Sequence, residues 1–309
     1  MQPREFAEYH LPALERDEAR HNLIVSILGR LADAEIAAPP PSDRPTLRRW
    51  TFGASGECAV QTPGYPIVLG ALQAAQCRAF AQETHTLDYP GVVGPDDTAR
   101  LFAERATELG LCFGEPIPQE VQALRTAPVY PGAPGQARMV DAADAALFAD
   151  WTEAFMRAAV PHDPVPSRER LEQAAGDGRY QFWIVDGEPV SMAGIVRRSR
   201  NGAAIGGVYT PPALRGRGYA GSVTAAVVER IFAEGRTMAC LYADLRNPFS
   251  RRCYAKIVFS RCAGPGTARE PRLSISPGGR VAVEGVDLAH VPEKWEPVFR
   301  SGHAQTQGI

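Results

Sequence analysis

The stretch Val208-Tyr209-Thr210-Pro211-Pro212-Ala213-Leu214-Arg215-Gly216-Arg217-Gly218-Tyr219-Ala220 determines how the second half of this chain is interpreted. An apolar, strand-like run precedes it at residues 203–208, and a helical run follows it at residues 221–233. A strand, a glycine-rich turn and a helix N-terminus together form a place to hold a phosphate. The turn exposes backbone N–H groups, and the start of the helix adds partial positive charge.

The residue types in this turn suit an anion. Gly216 and Gly218 have no Cβ, so a ligand can lie against the backbone and unusual dihedral angles cost little. Arg215 and Arg217 bring forked donors that match phosphate oxygens. The spacing excludes a Rossmann fingerprint, which needs three glycines set wider apart, and a Walker A loop, which ends in Lys-Ser/Thr.

Composition limits the classes of protein. The chain has 309 residues, 45% of them hydrophobic, which predicts about two domains. A net charge of -2 gives no electrostatic footprint for nucleic acid or an anionic membrane, and no apolar run could span a bilayer. Six scattered cysteines without a CxxC pair indicate free thiols rather than disulfides or zinc. The N-terminus is polar and lacks a secretion signal, so we expect a cytoplasmic protein. The charge, the apolar pattern and the cysteines together lead us to expect no metal and no nucleic-acid or membrane partner.

A Pro- and Gly-rich segment, residues 127–136, is predicted to link two domains, 1–130 and 137–309. An ordinary surface loop is the alternative. In the first domain the apolar spacing predicts a helix over residues 14–36, short strands and two further helices. The predicted strands span residues 47–52, 58–62 and 67–69, and the two further helices span residues 71–83 and 96–109.

The second domain has a clearer pattern. It is predicted to contain a strand, two helices, a hairpin, a strand that feeds the Arg/Gly turn, a helix, a strand and a short helix. The predicted elements span residues 137–140, 142–159, 167–175, 180–185, 189–196, 203–210, 221–233, 238–242 and 249–257. Strand-like pieces at 273–275 and 280–283 could add a closing hairpin. The fold class is therefore α/β, with a mixed central sheet flanked by helices.

Residues 137–259 resemble the GCN5-related N-acetyltransferase (GNAT) superfamily. Arg215, Gly218 and Ala220 match the family's Q/R-x-x-G-x-G/A loop. The block Asn247 to Phe259 matches its Asn-Pro-x-Ser-x-x-x-Tyr-x-Lys-Ile-Gly-Phe motif, except that Val258 replaces the usual glycine. The resemblance implies the acyl-CoA N-acyltransferase fold. It also suggests two such domains in tandem, the first degenerate and lacking the loop, with an unrelated α/β cap as the alternative.

The resemblance implies acetyl-CoA as co-substrate, bound where strands 203–210 and 238–242 splay apart. The pantetheine arm would pair with backbone groups at the end of the first strand, and the pyrophosphate would lie on the loop amides. Asn247 would contact the pantetheine arm or a strand end, or simply cap the helix before Pro248. The predicted binding residues are Val208, Tyr209, Thr210, Arg215, Gly216, Arg217, Gly218, Tyr219, Ala220, Asn247 and Ser250.

The family's reaction is acyl transfer from a thioester to an amine. Tyr254 occupies the position of the family's general acid, although a core aromatic residue is the alternative interpretation. The strand before the loop lacks the glutamate that many members use as a base. Asp244, Glu153, His162 and a water relay remain open as alternatives.

These observations predict an N-acetyltransferase that acts on an amine of a small molecule or a protein. A CoA-binding sensor without turnover is the alternative, because the strand glutamate is missing. The acceptor, the acyl-chain preference and the oligomeric state stay open, with a homodimer as one alternative for the last.

Overall fold

A computed structural model describes residues 1–33, 46–114, 117–159, 165–261 and 269–274 of the chain. Residue contacts divide these into two compact units, the first formed by residues 1–117 with 269–274 and the second by residues 118–261. Within the described ranges no helix is both long and apolar enough to cross a membrane.

The described residues form helices and strands in a mixed order, with alternation from β3 to β5 and from β9 to β11. The helices are α1 (Pro3–Leu14), α2 (Asn22–Asp33), α3 (Ala74–Thr84), α4 (Asp96–Glu108), α5 (Ala145–Ala159), α6 (Arg168–Ala174), α7 (Tyr219–Ala233) and α8 (Pro248–Lys256). The strands are β1 (Arg48–Thr51), β2 (Cys58–Gln61), β3 (Ile67–Leu69), β4 (Gly91–Val93), β5 (Ile117–Leu124), β6 (Gln136–Met139), β7 (Tyr180–Val185), β8 (Glu188–Arg198), β9 (Gly202–Tyr209), β10 (Met238–Asp244), β11 (Ser260–Arg261) and β12 (Arg269–Ser274).

The first unit is a mixed sheet in the order β1-β2-β3-β4-β12 between two helix pairs. Strands β3 and β4 are parallel, and the other neighbouring pairs are antiparallel. Since side chains alternate across a strand, Val60 and Val68 pack against α1 and α2, whereas Ala59 and Ile67 pack against α3 and α4. Both faces of this sheet are therefore buried.

The helical part of the first unit differs from the sequence prediction. Instead of one helix over residues 14–36, a 3-10 turn at Glu15–Asp17 separates α1 from α2. Strand β4 was missed because Gly91 has no side chain, which leaves only Val92 and Val93 as an apolar run. The predicted closing hairpin is replaced, within the described residues, by β12 paired antiparallel with β4, and residues 280–283 lie outside the described ranges.

The second unit is a mixed sheet in the order β5-β10-β9-β8-β7-β6, with β11 paired to β5. Its one parallel pair among the described strands is β9 with β10. Helices α7 and α8 cover one face around Val227 and Leu241, and α5 covers the other around Phe182. The predicted β7–β8 hairpin is present, with Asp186 and Gly187 both at positive φ as its turn requires. The predicted mixed α/β fold is confirmed.

The division between the units differs from the predicted linker. Strand β5 pairs with β10 from Leu124 opposite Ala239 to Gln119 opposite Asp244, so the second unit already starts at residue 118. Polar Gln and Glu residues interrupt the apolar pattern of β5 and hid it from the sequence prediction. The segment 129–135, which we call the strap, lies inside the second unit along α7, where Pro131 contacts Gly221.

Two buried histidines make the first unit sensitive to acid. Burial, with a smaller contribution from neighbouring Arg20, lowers the pKa of His21 from 6.5 to about 4. Burial also lowers the pKa of His10, whose Nδ1 accepts the Gly56 N–H at 3.1 Å. Between pH 6.5 and about pH 4, His21 binds a proton in the unfolded chain but not in the folded one. The free energy of unfolding therefore decreases as the pH falls.

We expect the free energy of unfolding to fall by up to about 1.4 kcal/mol per pH unit for His21 as the pH drops from 6.5 to about 4. Chemical denaturation at several pH values measures this slope. His21→Gln should make the slope shallower. The control Ser26→Ala, which removes a buried hydrogen bond to Leu23 O, should lower stability equally at every pH. An unchanged slope in His21→Gln would contradict the assignment.

Candidate functional site

The parallel strands β9 and β10 separate part-way along their length. Their pairing runs from Gly202 opposite Met238 to Ile205 opposite Leu241. Beyond that point β9 continues to Tyr209 beside β8, and β10 continues to Asp244 beside β5. The last residues of β9 and β10 are therefore separated by a gap, and each strand turns one backbone edge toward that gap.

A glycine in β9 permits this divergence. Gly207 has φ +62, and register shifts interrupt the β8–β9 ladder on either side of Gly194. A Cβ at Gly207 would lie 2.6 Å from Cε1 of Tyr180, so the tyrosine ring occupies the space that a side chain would need. Both the left-handed backbone and the close ring require glycine at this position.

The carboxyl end of β9 is held by side chains. Ser191 on β8 is fully buried, and its Oγ donates to Tyr209 O at 2.9 Å and bonds Thr210 Oγ1 at 2.8 Å. Arg215 Nε donates to Thr210 O at 3.0 Å. The predicted pantetheine-binding backbone is thus fixed in place, and its carbonyls at Tyr209 and Thr210 each already accept one hydrogen bond. Ser191 was missed, although a hydroxyl within the apolar run 189–196 was a visible signal.

The Arg/Gly turn connects β9 to α7. After a 3-10 turn at Pro212–Leu214, Gly216 and Gly218 adopt φ +81 and +85, and Gly218 caps α7. The first backbone bond of the helix runs from Ser222 N to Gly218 O at 3.1 Å, so the preceding N–H groups have no acceptor within the helix. Gly216, Arg217 and Gly218 are exposed. The turn therefore presents exposed backbone, a helix N-terminus and a guanidinium to solvent, which are features that suit an anion.

Arg215 and Arg217 differ in position. Arg215 is half-buried because its guanidinium folds back onto β9, whereas Arg217 is exposed. The first side chain therefore stabilises the turn, and the second adds positive charge at its surface.

Asn247 acts as the N-cap of α8. Its Oδ1 accepts from Phe249 N at 3.1 Å and from Ser250 N at 3.3 Å, while Ser250 Oγ donates to Asn247 O at 3.1 Å. These contacts match the helix-capping alternative, and Pro248 follows at the first helical position. The amide nitrogen of Asn247 takes no part in the cap.

Tyr254 is anchored at the carboxyl end of α8. Its carbonyl accepts the Phe259 N–H, and Val258 N–H donates to Ala255 O, which is the bonding pattern of a Schellman motif. The Tyr254 and Phe259 rings pack edge to face with centroids 6.2 Å apart. Tyr254 is 6% exposed, and burial raises the pKa of its phenol, so the group is protonated at neutral pH.

Val258 occupies the left-handed position of that motif at φ +68. The family's motif has glycine there, and the backbone of this chain keeps the conformation that glycine favours. The exit from α8 is therefore conserved in shape relative to the motif, although a β-branched side chain at positive φ is strained.

The predicted candidates for a base lie in ion pairs. Arg246 holds Asp244 through Nε at 3.1 Å and Nη2 at 2.8 Å. Glu153 lies 3.5 Å from Arg157 and 3.8 Å from Arg168. His162 is outside the described residues. Among the described residues the structure brings none of these carboxylates to the phenol of Tyr254 by a hydrogen bond.

The first unit repeats the topology of this site in closed form. Its order β3, α3, parallel β4, α4 corresponds to β9, α7, parallel β10, α8. After β3, Gly70 N donates to Cys58 O at 2.8 Å, so the connection folds back onto β2. A Cβ at Gly94 would lie 2.7 Å from Leu69 Cβ, which shows how closely the ends of β3 and β4 approach. Between β3 and β4 the described residues of this unit therefore contain neither a gap nor an arginine-bearing turn.

Comparisons with known proteins agree with this geometry. Residues 182–264 match the family model described as FR47-like protein. A solved Drosophila protein is 14% identical, with 90% of this chain and 97% of that chain covered at a TM-score of 0.65. A GCN5-related N-acetyltransferase from Kribbella flavida is 16% identical, with 84% and 96% covered at a TM-score of 0.50. A search of curated protein sequences gives no significant match.

The chain thus has the GNAT fold, and both solved structures extend over its two units. Its residues 182–264 are FR47-like, and this match includes the Arg/Gly turn and the block from Asn247 to Phe259. The resemblance that the two motifs indicated is confirmed.

Replacing the strained valine is expected to stabilise the second unit. Val258→Gly should raise the free energy of unfolding by about 1 kcal/mol, because the left-handed conformation costs about 1–2 kcal/mol for a residue with a Cβ. The side chain is 46% exposed, so little packing is lost. Denaturant unfolding measures the change. Val258→Ala is the control, because it keeps the Cβ at positive φ and should give no comparable gain. Equal stabilities for the glycine and alanine variants would refute the strain.

Proposed function

We propose that this protein is an N-acyltransferase that transfers an acetyl group from acetyl-CoA to an amine of a small molecule or a protein. The divergence of β9 and β10 beyond Ile205 and Leu241, next to an exposed Arg/Gly turn, is the observation that supports it. The gap offers a backbone edge to a pantetheine arm, and the turn offers amides to a pyrophosphate. The two features lie at the same end of β9, as a single extended ligand requires.

The transfer needs few groups from the protein. The amine nitrogen attacks the thioester carbonyl carbon, the C–S bond breaks, and CoA leaves with a proton. Tyr254 is the proposed donor of that proton, because its phenol is protonated at neutral pH and α8 follows β10 at the gap. The amine releases its proton to water, and water returns a proton to the Tyr254 phenolate, so no side chain is assigned as base. No group of three or more metal-binding side chains occurs in the described residues, and this direct transfer requires none.

A CoA-binding sensor is the second candidate. It is favoured by one observation, that strand β9 carries no acidic residue. The two functions share the proposed donor site and differ in turnover.

The Arg/Gly turn provides the test of acetyl-CoA binding. Gly218→Ala should weaken acetyl-CoA binding by about 10-fold, because it strains the φ +85 backbone of the cap and adds a Cβ 3.4 Å from Ala133. Gly187→Ala is the matched control, since it carries the same strain at φ +86 in open space in the β7–β8 turn. Calorimetry of acetyl-CoA binding should separate the two variants. If Gly218→Ala and Gly187→Ala bind acetyl-CoA with equal affinity, the turn is not part of the acetyl-CoA site.

Tyr254→Phe tests the proposed acid and separates enzyme from sensor. With an amine panel and CoA release as the readout, kcat should fall by about 100-fold or more while acetyl-CoA affinity stays unchanged. Tyr9→Phe, which removes a phenol bonded to Gly53 O in the first unit, should leave kcat unchanged. Tight CoA binding by wild-type protein without release across the panel would favour the sensor. An unaltered kcat in Tyr254→Phe would exclude the phenol as acid.

A further inference from the structure

A bulge in β9 lies where the gap between β9 and β10 begins. Between two paired positions β9 advances by three residues, from Gly206 to Tyr209, whereas β8 advances by two, from Gly194 to Met192. The extra residue accompanies Gly207, whose φ of +62 is left-handed. Gly207 follows the last β9 residue that pairs with β10 by two positions. A bulge with a left-handed glycine bends its strand and increases the local twist, so the end of β9 leaves the line that it follows beside β10.

The ring of Tyr180 fills the space beside this bulge. Tyr180 pairs with Gly194 across β7 and β8, and Gly194 pairs with Gly206 across β8 and β9. A Cβ at Gly194 would lie between 2.5 and 2.7 Å from Cδ1, Cε1 and Cγ of the ring. A Cβ at Gly207 would lie 2.6 Å from Cε1 and 3.0 Å from the hydroxyl oxygen. The ring therefore lies across β8 and ends against the bulge, in the space that two missing side chains leave.

Helix α5 covers the other side of this ring. The rings of Phe148 and Tyr180 pack edge to face with their centroids 4.9 Å apart, and Phe148 is buried. The Tyr180 ring therefore lies between the backbone of two strands and a second ring from α5. Because protein interiors are densely packed, a ring in this position has little room to move.

The glycines make the bulge dependent on this ring. Glycine adopts left-handed and right-handed backbone conformations with similar ease, so Gly207 by itself does not specify its φ. Register is weakly specified where strands are rich in glycine, and Gly206 and Gly207 lie beside Gly194. The packing of the Tyr180 ring on Gly194 and Gly207 therefore favours one backbone conformation and one register.

We propose that Tyr180 is a positioning residue of the acetyl-CoA site, and that its ring fixes the bulge beyond which β9 borders the gap. This inference rests on the proposed function. A pantetheine arm would pair with backbone N–H and C=O groups of β9 beyond the bulge, and such hydrogen bonds require these groups to keep their direction. The role belongs to the aromatic ring and does not require its hydroxyl group.

Tyr180 and Ser191 act at different points of β9. Ser191 bonds Tyr209 O and Thr210 Oγ1, so it fixes the last residue of the strand and the residue after it. Tyr180 contacts Gly207, where the strand changes direction. The hydrogen bonds of Ser191 therefore set the terminal residues relative to β8, whereas the ring of Tyr180 sets the bend that precedes them.

The first experiment compares two substitutions of the ring by calorimetric titration with acetyl-CoA. Tyr180→Leu should weaken binding by about 10-fold, because the bulge loses its packing, and Tyr180→Phe should bind within about 2-fold of wild type, because it keeps the ring. Leu171→Ala is the control, since it removes buried packing from α6 and leaves β8 and β9 unaltered. It should lower the melting temperature, as Tyr180→Leu does, yet keep wild-type affinity. Wild-type affinity in Tyr180→Leu, or an equal loss of affinity in Leu171→Ala, would overturn the role.

Gly194→Ala provides a second test that leaves Tyr180 and Gly207 in the chain, and it serves if Tyr180→Leu does not fold. The backbone of Gly194 is not left-handed, so alanine suits it, but the added Cβ must displace the Tyr180 ring. Gly194→Ala should weaken acetyl-CoA binding by about 10-fold in wild-type protein and cause no further loss in a Tyr180→Ala background, where no ring is displaced. Additive losses in the double variant would contradict the role of the ring.

Hydrogen exchange measures the effect on β9 without acetyl-CoA. The amides of residues 207–210 should exchange faster in Tyr180→Leu than in wild-type protein or Leu171→Ala, whereas the amides of residues 203–205, which pair with β10, should exchange alike in Tyr180→Leu and Leu171→Ala. Unchanged exchange at residues 207–210 would overturn the positioning role. Failure of wild-type protein to bind acetyl-CoA would count against the proposed function, whereas normal binding by both wild type and Tyr180→Leu would count only against the role of Tyr180.

Discussion

The parting of two parallel strands is the constraint on which the candidate site depends. Hydrogen bonding between β9 and β10 stops at Ile205 and Leu241, although both strands continue. Each strand remains hydrogen-bonded along its other edge, β9 to β8 and β10 to β5, so both strands stay ordered beyond the point where they part. Unpaired backbone groups remain at the gap, and such groups favour an extended ligand that can pair with them. The Arg/Gly turn belongs to the proposed donor site because it follows β9 at the end where this gap lies.

The first unit shows what happens when the same topology closes. It places a parallel strand pair between two helices in the same order, yet Gly70 and Gly94 let the strand ends and their connections approach closely. The connection after β3 continues along β2 through the hydrogen bond from Gly70 N to Cys58 O. Two units with the same order of strands and helices thus differ in how closely the ends of their parallel strands approach.

Local backbone geometry holds the proposed acid. Tyr254 lies at the end of a short helix, where fraying would misplace it, and the closing bonds to Val258 and Phe259 fix that end. Val258 adopts the left-handed conformation that these hydrogen bonds require, although a β-branched residue disfavours that conformation. Ser191 does the same for the end of β9, since one buried hydroxyl holds two polar atoms of Tyr209 and Thr210.

The sequence by itself determined the elements of the second unit except β5 and β11, and it determined the two motifs of the site. These signals are local, because apolar periodicity, the spacing of Gly216 and Gly218, and the Asn247–Pro248 cap all lie within a few residues. Tertiary structure alone decided which strands share a sheet. It brought β5 beside β10 and β12 beside β4, and it laid the strap on α7. Such pairings join residues that are distant in the chain through hydrogen bonds and packing, and neither leaves a periodic trace in the sequence.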